Sequence, residues 1–375
     1  MKVWPALGIL LIQVLLCLGH WLLFATAVSF FPVGVDARHA LGAALAILSF
    51  SFVAASLLSF RFTSAPVRVF YTLASCWLGM LNFLVWAACL CWLMALPVHW
   101  LDAAGEAQAR VWIADALLGL AAAVSLYGFA NARRIRERSM TVELPHLPDA
   151  WRGRKALLVS DLHLGHVNGA GFARRIAGIA KRLKPDVMLI AGDLYDGSKI
   201  DPARLAGPIF DIKPPLGIYF CGGNHEEFGD EAAYEAALRA GGIRVLHNEL
   251  TDVDGVQVAG VRYEETTFPM RLRGILEKMR VDGERAAILL NHVPNRLPLV
   301  EQAGFGLQLS GHTHGGQIFP FTWITRRAFG KFTRGLHRFG RLQVLTSTGA
   351  GTWGPPMRVG TAPEVVLITF EADAD

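Results

Sequence analysis

The chain has 375 residues, 53% of them hydrophobic, and a formal net charge of +5. That apolar content exceeds what a water-soluble globule carries and the length exceeds one average domain, which excludes a single soluble domain. Charge is also unevenly placed, because nine of the 67 charged side chains lie in residues 1–131 and the remaining 244 residues carry 58.

The first part reads as four membrane spans, at about 4–31, 39–60, 70–96 and 111–131. Each is long enough for a hydrocarbon core, which takes about 20 helical residues. A cleaved signal peptide has one short apolar region and is not followed by three more. Helices of a soluble bundle would each carry a charged face, and these stretches do not. With the N-terminus inside, the inner loops hold Lys2, Arg61, Arg68, Arg133, Arg134, Arg136 and Arg138, and the outer loops only Arg38 and Arg110. The positive-inside rule then predicts a multi-pass protein of the cell (inner) membrane, with the N-terminus and the second half on the cytoplasmic side. Asp115, within the fourth span, is expected to stay hydrated or to pair with Arg110. Gln13 and His20 read as polar glue between helices. The five cysteines have no metal-knuckle spacing and read as packing residues in a reducing compartment.

Residues 132–153 read as a basic linker. From residue 154 short apolar runs alternate with amphipathic stretches. Strands are predicted at 155–160, 187–191, 218–221, 256–261, 287–290, 342–347 and 365–370, and helices at 173–183 and 231–240. Mixed sheets covered by helices follow, with functional groups gathered at the carboxyl ends of strands.

Five polar strings stand where those strands end: DLHLGH (161–166), GDLYDG (192–197), GNHE (223–226), NH (291–292) and GHTHGG (311–316). Two divalent cations about 3.5–4 Å apart need a shared anion between them, and Asp193 is the candidate. Asp161 and His163 complete one site with His314, while Asn224, His292 and His312 complete the other. An amide suits a position where further negative charge would repel an anionic substrate. Oxygen mixed with imidazole suits two Mn²⁺ ions first, and Fe²⁺ or Zn²⁺ as alternatives.

On these motifs residues 154–370 resemble the calcineurin-like metallophosphoesterase superfamily. The GHTHGGQI string and the PPMRVG ending are similar to its membrane-associated bacterial branch. The resemblance implies a four-helix transmembrane module (1–131) followed by an α/β four-layer (α/β/β/α) sandwich (154–371). It implies the same seven ligands and identifies His225 as the counterpart of the family's catalytic histidine. A neighbouring carboxylate, Asp196 or Glu226, is expected to orient that ring. The implied reaction is metal-dependent hydrolysis of a phosphoric ester, by in-line attack of a metal-activated hydroxide.

The membrane setting points to a phosphodiester or pyrophosphate bond in a phospholipid or nucleotide-linked lipid, with the lipid bilayer as partner. The alternatives are a phosphodiesterase for soluble substrates anchored by the spans, and a sensor or transport module with a regulated accessory phosphatase. Basic clusters at 133–138 and, interleaved with Phe329, Phe332, Leu336 and Phe339, at 326–341 read either as facing anionic headgroups or as ordinary solvated charge on a loop. With 31 basic against 27 acidic residues after position 131, no nucleic acid is expected.

Overall fold

The computed structural model describes residues 3–101 and 105–373, and Lys2 lies outside them. The chain divides into two compact units. The first is helical, runs up to Ala130 and takes in Gly354–Met357, and the second comprises Asn131–Trp353 and the residues from Arg358 onward.

The helical unit contains α1 (Val3–Phe30), α2 (Val35–Ser59), α3 (Ala65–Leu101) and α4 (Glu106–Ala132). All four are long and apolar enough to cross a membrane. At 37 residues α3 outruns its predicted span at both ends, because hydropathy marks the apolar stretch whereas backbone hydrogen bonds mark the helix. Polar side chains find partners across helices, as a low-dielectric interior requires. The Gln13 amide donates to the Ser49 carbonyl at 3.0 Å, and the Trp77 indole donates to Nε2 of His20 at 2.8 Å. The Trp92 indole likewise donates to the Thr26 hydroxyl at 3.0 Å. Asp115 is exposed on α4, and Arg110 pairs with Glu106 at 2.5 Å, one turn earlier, instead of with Asp115.

The second unit corrects the linker expected at 132–153. Residues Arg136–Leu144 form a strand, β1, parallel to the last strand β12 (Glu364–Ala372), with Arg136 opposite Glu364 and Leu144 opposite Ala372. Met140, Val142 and Leu144 alternate with polar residues, a period-2 signal that the surrounding arginines obscure. Val142 and Leu144 are fully buried. Trp151, also fully buried, packs edge-on against Phe370 and donates its indole N–H to the Val253 carbonyl at 3.0 Å.

In chain order there follow β2 (Lys155–Val159), α5 (Ala170–Leu183), β3 (Val187–Ala191), α6 (Pro202–Phe210) and β4 (Ile218–Cys221). Next come α7 (Asn224–Phe228), α8 (Glu231–Ala240), β5 (Arg244–Val245), β6 (Glu249–Val253) and β7 (Val256–Gly260). The remainder is α9 (Tyr263–Thr267), α10 (Pro269–Met279), β8 (Ala287–Leu290), α11 (Leu297–Gln302), β9 (Leu307–Ser310), α12 (Phe321–Phe329), β10 (Gly335–Phe339) and β11 (Leu342–Thr346). Two six-stranded sheets result, ordered β1-β12-β2-β3-β4-β5 and β10-β11-β9-β8-β7-β6.

Three apolar cores separate four layers. Ala156 and Leu158 of β2 meet Ile288 and Leu309 of the other sheet between the sheets. Leu157 and Val159, on the opposite face of the same strand, pack under Ile176 of α5 and Ile209 of α6. Leu289 and Val344 of the second sheet pack under Leu276 of α10 and Val300 of α11. Because both faces of the central strands are covered, those strands read as continuous apolar runs.

The basic aromatic segment is not the surface strip that its composition predicts. Phe332 and Phe339 pack against the third core, and Leu336 against the first. The exposed apolar side chains lie just upstream, on α12.

Candidate metal centre

The five polar strings follow the carboxyl ends of β2, β3 and β4 in one sheet and of β8 and β9 in the other, so both sheets feed a single site. Local backbone conformation there is unusual. Asp161, His163, Asp193, His312 and His314 all have positive φ, between 47° and 67°. Each such residue costs on the order of 1 kcal/mol or more, and clusters of them mark functional sites. Two glycines permit the close approach of loops: a Cβ on Gly223 would collide with the Asp193 carboxylate, and one on Gly311 with the Asp161 carboxylate.

The predicted ligands come together in two sets, buried except for the partly buried His312. Donor atoms of Asp161, His163 and His314 lie within 4.8 Å of one another, and so do those of Asp193, His292 and His312. Nε2 of His163 is 2.9 Å from Nε2 of His314, which in turn is 3.4 Å from the Asp161 carboxylate. Asp193 stands between the two sets, its Oδ2 3.8 Å from Nε2 of His163 and 3.1 Å from Nε2 of His292. Its Oδ1 accepts the His225 backbone N–H at 2.9 Å, which turns Oδ2 toward the imidazoles. Asn224 joins the second set, with Oδ1 2.9 Å from Nδ1 of His312.

These residues fit two divalent cations. Nδ1 of His292 donates to the Ala191 carbonyl at 2.7 Å, which leaves Nε2 as the atom that could ligate a cation once its proton is displaced. That Nε2 is buried and faces Oδ2 of Asp193 at 3.1 Å. Burial holds the His163 and His314 rings well below the ordinary imidazole range and takes His312 down to about 4, so all three are neutral donors. Burial opposes a charge on His292 as well, yet the Asp193 carboxylate pushes it up to about 10. Burial also raises Asp161 to about 6. Buried carboxylates facing imidazoles, three of them neutral, call for positive charge between them.

The residues around the ligands depart from expectation in three ways. His225 is close to the site, its ring 4.6 Å from that of His163, but its Nδ1 donates to the backbone carbonyl of Asp196 at 2.9 Å. The Asp196 carboxylate is committed elsewhere, to the backbone N–H groups of His166 and Ser198 and to the Ser198 hydroxyl. Glu226 does not orient the ring either. It is buried and accepts the N–H groups of Asp193 (3.0 Å), Tyr195 (2.9 Å) and Gly223 (2.7 Å), tying two ligand loops together.

The sequence reading also passed over Arg358. Its fully buried guanidinium donates to the His314 carbonyl at 2.8 Å and to the Gly351 carbonyl at 2.6 Å, and it faces Nδ1 of His314 at 3.1 Å. A lone arginine in the apolar PPMRVG string was the available signal, since burial of arginine is rare unless it is paired. Two exposed aromatics, Phe228 and Trp353, stand beside His225 with ring centroids 5.2 and 5.9 Å from its own.

Residues 154–316 match a family described as calcineurin-like phosphoesterase. A Danio rerio protein described as a transmembrane protein with metallophosphoesterase domain is 32% identical over 269 residues, which cover 67% of this chain and 61% of that one. An uncharacterized metallophosphoesterase of Campylobacter jejuni is 30% identical, covering 64% of this chain and 65% of its own. One of Aquifex aeolicus is 30% identical over 260 residues, covering 67% of this chain and 98% of its own. The chain thus spans less than two thirds of the length of the Danio and Campylobacter relatives. Among solved structures, a dimetal phosphatase from Danio rerio aligns with a TM-score of 0.35 and 9% identity, over 53% of this chain and 88% of that one.

Proposed function

This chain belongs to the calcineurin-like metallophosphoesterase family, and from that premise we propose that it is a membrane-anchored phosphoesterase with a two-cation centre. In this reading it hydrolyses a phosphodiester or pyrophosphate bond in a phospholipid or nucleotide-linked lipid. The observation that carries the proposal is the pair of donor sets on either side of Asp193. Asp161, His163 and His314 would hold one cation, and Asn224, His292 and His312 the other, with Asp193 between them. Such cations neutralise phosphoryl oxygens and make water acidic enough to attack near neutral pH. Mn²⁺ is the first choice for both.

The protein's own groups do the rest. His225, anchored through Nδ1 on the Asp196 carbonyl, offers Nε2 to protonate the leaving oxygen. Glu226 holds the Asp193 and Gly223 loops at fixed separation, so the two donor sets keep their spacing. Lipid substrates are favoured by the four membrane-crossing helices in the same chain. The excess of basic residues in the inner loops supports a cytoplasmic second unit in the cell membrane.

The test is mass spectrometry of the host's own membrane lipids, incubated in detergent with Mn²⁺ and either the wild type or Asp193→Asn. A phospholipid or nucleotide-linked lipid consumed by the wild type alone is the expected result and identifies the bond. No difference between the two overturns the lipid assignment and directs the search to soluble phosphodiesters.

A further inference from the structure

Helix α12 begins five residues after the GHTHGG metal loop, and its outer surface exposes large apolar side chains. Phe321, Trp323 and Ile324 are 53%, 68% and 63% exposed. The half-buried positions of the helix are Thr322, Thr325 and Phe329, which fall on one face at about 3.6 residues per turn. The protein-facing side is thus mostly small and polar and the solvent-facing side holds large apolar groups, the reverse of a surface helix on a soluble domain. Arg327 shares the outer face with Trp323, Arg326 flanks it, and both are exposed.

Along the sequence on either side of this helix the charge has one sign. Between Glu301 and Glu364 the sequence has no acidic residue, while Arg326, Arg327, Lys331, Arg334, Arg338 and Arg341 all fall there. An apolar ridge carrying arginines matches the interfacial zone of an anionic bilayer, where rings sit at headgroup depth and cations meet phosphates. A protein partner would need carboxylates for these cations, whereas an anionic lipid surface supplies charge and apolar depth together. The bilayer is at hand for a chain with four membrane-crossing helices.

The helix is also fastened to the metal loop. A Cβ on Gly316, two residues after His314, would collide with the backbone of Thr322. The Phe329 ring reaches that of His312 at 6.2 Å between centroids. A surface that binds through α12 therefore lies beside the metal centre.

We infer that the outer face of α12 inserts into the headgroup zone of an anionic bilayer, as a second membrane attachment separate from the four spans, and so sets the metal centre at the lipid surface. The consequence for substrate access rests on the lipid reading above, whereas the membrane contact itself does not.

The experiment uses the full chain with its five native cysteines replaced by alanine and a nitroxide on Ile324→Cys, in nanodiscs of phosphatidylcholine alone or with roughly one third phosphatidylglycerol. Lys278→Cys, exposed on α10, is the control. Collision with oxygen and with a water-soluble nickel chelate is read by electron paramagnetic resonance, which needs no catalysis. The expected result is a label at 324 shielded from nickel and open to oxygen in the anionic discs, with 278 open to nickel throughout. A label at 324 as open to nickel as 278 in both discs overturns the insertion and leaves the patch to a protein partner.

A second arm is Trp323→Glu with Ile324→Glu. Hydrolysis of a disc-embedded lipid is expected to fall about tenfold, with hydrolysis of bis(p-nitrophenyl) phosphate within about twofold of the parent. Equal loss on both substrates overturns the access role, because it reports damage to the site. Insertion at 324 without any lipid hydrolysis sustains the membrane contact and sinks the lipid-substrate reading alone.

Discussion

His225 rests on the backbone carbonyl of Asp196 and not on a carboxylate, so the side chain expected from the sequence to orient it is not what holds it. The two residues proposed as a catalytic pair should therefore separate in experiment. Replacing His225 by Ala is expected to lower turnover by about 10²–10⁴, with the larger loss on diesters that have poor leaving groups. Asp196→Asn keeps the main-chain carbonyl on which His225 rests and should cost less than about tenfold on either substrate class. Steady-state rates on one aryl and one alkyl diester check both, and equal losses for the two variants would return the Asp196 carboxylate to the mechanism. The seven candidate ligands that the structure brings together could be picked out because each stands close in sequence to a strand end, and the spacing of polar strings survives without coordinates. The choice between a side chain and its own carbonyl as partner for His225 was not legible, because it depends on the course of the backbone after Asp193. The three main-chain hydrogen bonds of Glu226 were hidden for the same reason.

Among the elements, the central strands were the easiest to find and the edges the hardest. Strands β3, β4 and β8 are apolar on both faces and have the bounds predicted for them. Strand β1 was missed because arginines at 136 and 138 drew attention to the membrane exit, although its alternation from Met140 to Leu144 is that of a half-buried strand. Its fit to the fold makes a prediction. Val142→Asp places a carboxylate in the core between the sheets, a change worth several kcal/mol, and should leave the second unit open to protease. Arg138→Ala removes only an ion pair with Glu364 whose arginine end is mostly exposed, and should shift stability by less than about 1 kcal/mol. Protease resistance of the two variants in detergent decides, and a resistant Val142→Asp would mean that β1 is a tether after all. Helix α12 was obscured by the basic aromatic run that follows it, in which the aromatic rings turned out to pack inward.

Over the whole molecule, the division into an apolar helical part and a charged α/β part was visible from the distribution of charge alone. What composition did not reveal is how much of the second unit depends on its centre. Buried carboxylates and neutral imidazoles gather there, and a cation that binds only the folded form stabilises it by about 2.7 kcal/mol at one hundred times its dissociation constant. Chelation with EDTA should therefore lower the melting temperature of the second unit, with Mn²⁺ restoring it, while the helical signal of the membrane unit stays in place. Asp193→Asn should abolish most of this response. Calorimetry of the full chain in detergent is the check, and a midpoint indifferent to chelator would argue against cations in the shared site.

Three of the loops that build the centre leave one sheet and two leave the other. Neither sheet owns a complete donor set: Asp161 and His163 wait for His314, and His292 and His312 wait for Asp193. The centre is thus a clasp across the sandwich that closes only on a correctly assembled pair of sheets. During biosynthesis, cation uptake would record that the two halves have met, and a chain that stalls with its sheets apart would stay empty, open at the seam and marked for proteolysis.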